Sequence, residues 1–430
     1  MSLPLALYYL TLQSLQFVQA SPISPLNRRD ASSCDESQDT RSISSIIWSC
    51  LATVFLCTWV AIHPNIPPPE KSIVTTLRRV GIMAMAVISP ELVIMWAMRQ
   101  WLVSRKLRKK YENMGWTQTH GFFALMGGFM LYEGDQPIRT LLPDELELLF
   151  LAGQIDFPHI TEEEIKDRSK GDFVSKGLVI VQTGWFIMQC VARGVEHLPI
   201  TKLELSTLAF AVLNLATYAL WWNKPLNVKR PFRVYQDKLS DTQSILLYGE
   251  SESESEGGRQ PSVVHRILGV ITAPMAPFAH MAHPPDIRPG AKTLPAFYAG
   301  SLAKSELWMV ILAAGTVAIA FGAIHCVAWS FQFPSHTERL IWRVSSFIIM
   351  GLPVAILVLH TDHRTHETPL ILQAGAAETP VRHKVNAAVF VFITYFIARV
   401  ALMVLAFMSM RVLPPQEYQI VHWTNIIPHI

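Results

Sequence analysis

Residues 177–228 read GLVIVQTGWFIMQCVARGVEHLPITKLELSTLAFAVLNLATYALWWNKPLNV. Two apolar runs of roughly 20 residues flank a short turn at Leu198 to Lys202, and at 1.5 Å rise per residue each run covers a hydrocarbon core of roughly 30 Å. The pattern predicts a transmembrane hairpin. Its first arm carries Gln182, Trp185, Gln189, Arg193 and Glu196 at offsets of three or four, which places them on one helical face. Polar groups are costly in lipid, so this face should point into a helical bundle, with Arg193 and Glu196 near enough along the helix to pair. For Arg193, Glu196 and His197 an interfacial position, reaching toward headgroups, is favoured over that buried pairing. For Gln182 and Gln189, helix-to-helix hydrogen bonding is favoured over a substrate site.

The rest of the chain agrees with that hairpin. Half of the 430 residues are hydrophobic, 16% are charged and mean hydropathy is +0.28, a membrane composition rather than that of a soluble two-domain enzyme. A formal net charge of +3 is too small to imply nucleic acid. The basic residues sit beside apolar spans, where topology accounts for them. Cys50, Cys57, Cys190 and Cys326 fall inside apolar runs and Cys34 in a polar stretch, a spacing that offers neither a disulfide framework nor a zinc site.

Residues 1–20 fit a cleaved secretory signal, with a retained helix as the competing reading, and 21–45 form a polar lumenal segment. Residues 46–110 hold a first span, ended by Pro64, Pro67, Pro68 and Pro69, and then an apolar segment broken at Ser89, Pro90 and Glu91. Arg78, Arg79 and the run Arg105 to Lys110 flank that segment. A dip into the bilayer or a surface position therefore suits it better than a full crossing, and the loops 111–176, 224–303 and 361–384 then face the cytosol. Residues 111–176 read as a cytosolic loop with amphipathic helices, one of them started by a capping box at Thr161 and Glu164. After the hairpin of 177–228 comes a cytosolic loop, 229–303, with a disordered acidic tract at 249–260. Residues 304–430 supply three more spans and a tail. Gly315, Ala318 and Gly322 allow close helix approach in the first of these. The fold expected is all-α: a polytopic α-helical membrane bundle of about six spans plus re-entrant or interfacial segments.

The strings FPHITEEEIKDRSKGD and SKGLVIVQTGWFIMQCVARGVEHLPIT, with WWNKPLNV, ISPELVIMWAMRQW and GWTQTHGFFALMGGF, resemble a family of uncharacterised multi-pass membrane proteins of filamentous fungi. The likeness covers most of Ile46 to Val228. It implies a membrane setting and carries no assigned active-site residue.

Candidate catalytic groups are the intramembrane polar residues Glu91, Gln182, Gln189, Arg193, Glu196 and Arg399, the last one turn from Tyr395. Candidate metal ligands are His280 and His283 in AHMAH with His360, His363 and His366 in HTDHRTH, since neutral imidazoles gathered from two loops on one side can hold a metal. Solvated interfacial histidines are the plainer reading, and no cofactor is implied by the residues themselves. Lys224, Lys229, Arg230 and Arg233 form a basic edge suited to anionic lipid headgroups. Diphosphate-binding Asp motifs, GxSxG, HExxH and a phosphate-binding Gly loop are all missing from the sequence. The leading expectation is a multi-pass membrane protein of undefined activity in the secretory pathway, between endoplasmic reticulum and plasma membrane; the leading specific reading is an enzyme, or an enzyme's accessory, acting on a lipophilic small molecule. A transporter or channel and a non-catalytic scaffold or sensor stand as alternatives.

Overall fold

The computed structural model describes residues 40–169, 172–236, 276–282, 287, 290–362 and 378–421. It is predominantly helical and divides into two compact units: residues 1–61, 177–215 and 315–430 form the first, and 62–176 with 216–314 the second. The expected signal, the lumenal segment up to residue 39 and the acidic tract lie outside the described residues.

The first unit begins with α1, Ile43–Phe55, capped by the Ser42 hydroxyl and continued by a π-helical turn at Leu56–Val60. The hairpin follows as α7, Asp172–Val195, and α8, Lys202–Leu220. Its turn is locally determined. His197 takes the left-handed backbone conformation, φ 55°, that ends a helix, and the main-chain N–H of Leu198 returns to the Arg193 carbonyl at 2.8 Å. Thr201 and Glu204 then form a capping box that starts α8, each side chain accepting the other's main-chain N–H. Three more helices complete the set: α10, Lys304–Cys326, α11, His336–Asp362, and α12, Glu378–Met408. In α10 a Cβ added at Gly322 would lie 2.7 Å from the Met350 Cβ on α11, so the two helices touch where only hydrogen fits.

Five helical stretches among the described residues are long and apolar enough to cross a membrane: Ile43–Val60, Ser175–Val195, Lys202–Leu220, Lys304–Ser330 and Phe390–Arg411. The second of the three spans expected in residues 304–430 falls within α11, whose side chains beyond Pro353 lie outside the described residues. Large apolar side chains point outward on these helices, among them Val181, Val191 and Val195 on α7 and Phe390, Ile397 and Val404 on α12. A water-facing surface rarely carries so continuous an apolar patch.

The second unit is built on α2, Ser72–Ile88, and α3, Pro90–Lys110, which meet at Ser89 with a bend of 110°. Pro90 explains the corner: it has no N–H to continue α2 and suits the first turn of a new helix. Beyond α3 come α4, Gln118–Leu125, β1, Phe129–Glu133, β2, Gln136–Thr140, α5, Pro143–Leu151, and α6, Glu162–Asp167. The last element of the sheet is β3, Phe232–Tyr235.

The sheet corrects the all-α expectation. Strand order is β2-β1-β3, with β1 and β2 antiparallel around a two-residue Gly134-Asp135 turn, φ 57° at Gly134, and β3 parallel to β1. Segments expected as two separate cytosolic loops thus share one core, where Tyr111, Trp116, Phe129 and Phe157 pack with ring centroids 4.9 to 5.6 Å apart. The cap at α6 forms as the sequence indicates: Glu164 accepts from the Thr161 N–H at 2.7 Å while the Thr161 hydroxyl accepts from the Glu164 N–H at 3.2 Å. His120 plays the same part at α4. Its Nδ1 accepts from the Thr117 N–H at 3.1 Å and its Nε2 faces the Ile160 carbonyl at 2.7 Å, which selects the Nε2-protonated tautomer.

Candidate functional site: a basic cavity backed by a buried lysine

A cavity of about 390 Å³ opens in the second unit between α2 and the segments around residues 64–68, 227–229 and 294–296. Its volume is within the range that holds a drug-sized ligand. The amphipathic division of α2 makes it. Thr75, Arg78, Arg79 and Ile82 recur at offsets of three, four and seven and line the cavity, while Ile73, Val74, Leu77 and Val80 stand exposed on the other side. Pro64, Pro67 and Pro68, unable to extend a helix, carry the chain past in an open conformation and leave Asn65 and Ile66 on the wall.

The polar lining is cationic and amide. Arg79 Nη1 donates to Asn227 Oδ1 at 2.6 Å, and Asn227 holds φ 58°, a left-handed backbone that Asn tolerates better than most side chains. Arg78 donates to both Glu70 oxygens, at 2.9 and 3.1 Å, and Lys229 is exposed at the rim. None of the lining residues is Asp or Glu.

Behind the wall lies Lys224, 1% exposed. Its Nζ donates to the His63 carbonyl, to Gln100 Oε1 at 2.8 Å and to Asn65 Oδ1 at 3.3 Å, and it lies 4.9 Å and 4.8 Å from the ring centroids of Trp96 and Trp221. Gln100 completes the network, donating to Asn65 Oδ1 at 3.0 Å and to the Tyr298 carbonyl at 2.8 Å and accepting from Trp221 Nε1 at 3.0 Å. Burial pulls the Lys224 ammonium well below the ordinary lysine range. Three oxygen acceptors matching its three N–H bonds, and two indole faces, work against that pull. Lys224 is therefore no part of a headgroup edge. After α8 ends, Pro225 turns the chain inward, and Ser169 Oγ secures the turn by accepting from the Leu226 N–H at 2.8 Å.

The residues singled out from sequence go elsewhere. Glu91 is buried in the first turn of α3 and belongs to the second unit; the other five belong to the first. Gln182 donates to Thr53 Oγ1 at 3.2 Å, a helix-to-helix hydrogen bond between α7 and α1, and Gln189 is half-buried. Arg193, 2% exposed, donates to the carbonyls of Pro199 and Gln419, each at 2.7 Å, and so ties the hairpin turn to the C-terminal segment. Close to it in the same unit, Arg41 forks onto Glu204, and Arg41 Nε donates to the Glu417 carbonyl at 2.8 Å. Glu196 is half-buried on the last turn beyond α7. Arg399 Nε donates to the Tyr395 hydroxyl at 2.8 Å, and its guanidinium stacks 3.7 Å from the Phe321 ring centroid.

Of the histidines, His280 is exposed on the short helix α9, Ala276–Ala282. His360 falls near the end of α11, its side chain outside the described residues, as are His283, His363 and His366 altogether. Among the described residues no three His, Cys, Asp or Glu side chains gather to hold a metal.

Periodicity could not have found the cavity cluster, because the partners of Lys224 lie 124, 159 and 161 residues away. The one available signal was WWNKPLN itself, a lysine enclosed by tryptophans and a proline where a helix must stop. No curated protein and no solved structure matches the chain. A family model does match over residues 14–258 and 302–430, and by that extent the chain belongs to DUF8562, a family of unknown function.

Proposed function

We propose that this protein is a multi-pass membrane protein that binds a lipophilic small molecule in the cavity beside α2, as an enzyme's accessory or as an enzyme supplied with further groups. The observation that carries the reading is α2 itself, whose basic face lines a cavity of about 390 Å³ while its opposite face exposes Ile73 and Leu77. A molecule with a polar head and an apolar body meets both in one place. The lining offers cations, amides and hydrocarbon rather than an acid and base, which favours holding a molecule over transforming it. The membrane setting is supported by five apolar helices with outward apolar faces, and the secretory route and fungal origin by the sequence of residues 1–20 and the resemblance described above.

The test is co-purification. Protein extracted in mild detergent should carry a bound amphiphile visible by native mass spectrometry, and Ala296→Trp, which fills the cavity, should release it. Identical bound species in the filled variant would end the proposal. A second reading, transport, is favoured by the 110° corner at Ser89, since discontinuous helices mark many transporter sites. Flux of the co-purified molecule across liposomes would support it, and retention without flux would remove it.

A further inference from the structure

We propose that α2 is an in-plane membrane helix: its exposed apolar stripe lies among the acyl chains of one leaflet, so the cavity on its opposite face opens at headgroup level. This rests on the membrane setting proposed above and names the leaflet as the source of the ligand. Ile73, Leu77, Val80 and Ala84 recur at offsets of four, three and four and so form one line along the helix. All four are exposed, Ile73 and Leu77 by 67% and 64%. Val74 and Gly81, also exposed, widen the stripe to a patch of the kind that meets another apolar surface. The helix that follows has no such face, since Val93, Ile94, Trp96, Ala97 and Val103 of α3 are buried inside the second unit.

Charge and length set the partner and the orientation. α2 contains no Asp or Glu. Lys71 stands exposed at its start and Arg78 on its flank, with Lys229 and Arg230 exposed on the chain across the cavity, against Glu70, which pairs with Arg78. That balance suits the anionic surface of a bilayer. With 17 residues α2 is roughly 26 Å long, short of a hydrocarbon core of roughly 30 Å, and a crossing would carry Arg78 roughly 10 Å into lipid. Lying flat, the helix holds Arg78 roughly 120° round from the stripe, toward the headgroups.

The end of the hairpin supplies the level. Trp222 stands exposed just past the end of α8, and Lys176, at the start of the apolar part of α7, donates to its carbonyl at 2.9 Å and lies 5.8 Å from its ring centroid. A tryptophan and a lysine at the ends of two apolar spans mark the headgroup region. Asn227 and Lys229 of the cavity wall follow Trp222 by at most about 25 Å of chain.

Full-length protein is placed in nanodiscs of phosphatidylcholine and phosphatidylserine, with a nitroxide carried on p-acetylphenylalanine at Ile73, Leu77, Val80 or Ala84 in turn. Depth is read from the ratio of oxygen to nickel-chelate collisions. All four side chains are exposed, so the label displaces no packing. The four positions should report the same depth, about 5–10 Å into the headgroup and acyl boundary, with a label at Lys229 at headgroup level and one at Lys71 open to the chelate. A depth that changes steadily, by about 16 Å from Ile73 to Ala84, would show a crossing helix and overturn the proposal. Chelate access at all four, or exclusion of both reagents, would put the stripe in water or against protein and overturn it too. A Lys229 label as open to the chelate as one at Lys71 would remove the cavity from the leaflet. Depth is read without regard to any ligand, so co-purification and its loss in Ala296→Trp judge the binding reading separately.

Discussion

Arg193 and Lys224 are both buried cations next to the same hairpin, and they do different things. Arg193 sits on the polar face that periodicity marks, and it spends its donors on main-chain carbonyls of the hairpin turn and the C-terminal segment. Lys224 looks like one more cation in a basic edge, and it is the enclosed one, held by side-chain amides and indoles beside a cavity. A buried charge satisfied by main chain fixes a fold. One whose partners include a side chain on a cavity wall, as Asn65 is here, can sense what enters it.

The comparison is most sharply tested at Lys224. Lys224→Met leaves Gln100, Asn65 and the His63 carbonyl without their shared donor, and should destabilise the protein by about 3 kcal/mol, read as a lowered unfolding midpoint in detergent. It should also weaken amphiphile binding. Arg193→Gln should cost about 2 kcal/mol through lost charge-assisted hydrogen bonds and leave amphiphile binding unchanged. Equal loss of binding in both variants would erase the distinction between the two cations. Thr161→Ala, remote from the cavity, should cost about 1 kcal/mol by removing one half of the α6 cap, with hydrogen exchange rising locally around residues 161–165.

A smaller effect separates the two by pH. Lys224 has its folded pKa below the ordinary value near 10.5, so at intermediate pH the unfolded chain binds more protons and stability rises with pH. The cost of burying the charge is fully present below the folded pKa and fades as pH rises from there toward 10.5. The midpoint measured from pH 7.5 to 9.5 should therefore rise in the parent protein relative to Lys224→Met. A parallel course in both would contradict the assignment.

What the sequence disclosed follows from the range of each signal. Helix periodicity, the capping boxes at Thr161 and the proline corner at Pro90 act over a few residues, and each is legible. Gln182 and Gly322 were readable too, because a polar or a small residue within an apolar helix has few roles beyond contact with a neighbour. The sheet was harder. FMLYE and QPIRT are short, but the Gly134-Asp135 pair between them is a hairpin signal that the apolar run before it obscures. The parallel pairing of β3 to β1 has no local signature. The cavity has none either, since its walls come from α2, the proline segment and the turn after α8, and only folding makes them neighbours.

The most direct measurement places a photo-crosslinking benzoylphenylalanine at Ala296 in the cavity and, separately, at Val344 on the outer face of α11. After irradiation in native membranes, position 296 should capture one discrete amphiphile identified by mass spectrometry, while position 344 captures the mixed bulk lipids. The same mixture at both positions, or no adduct at 296, would contradict a ligand-binding cavity in the second unit.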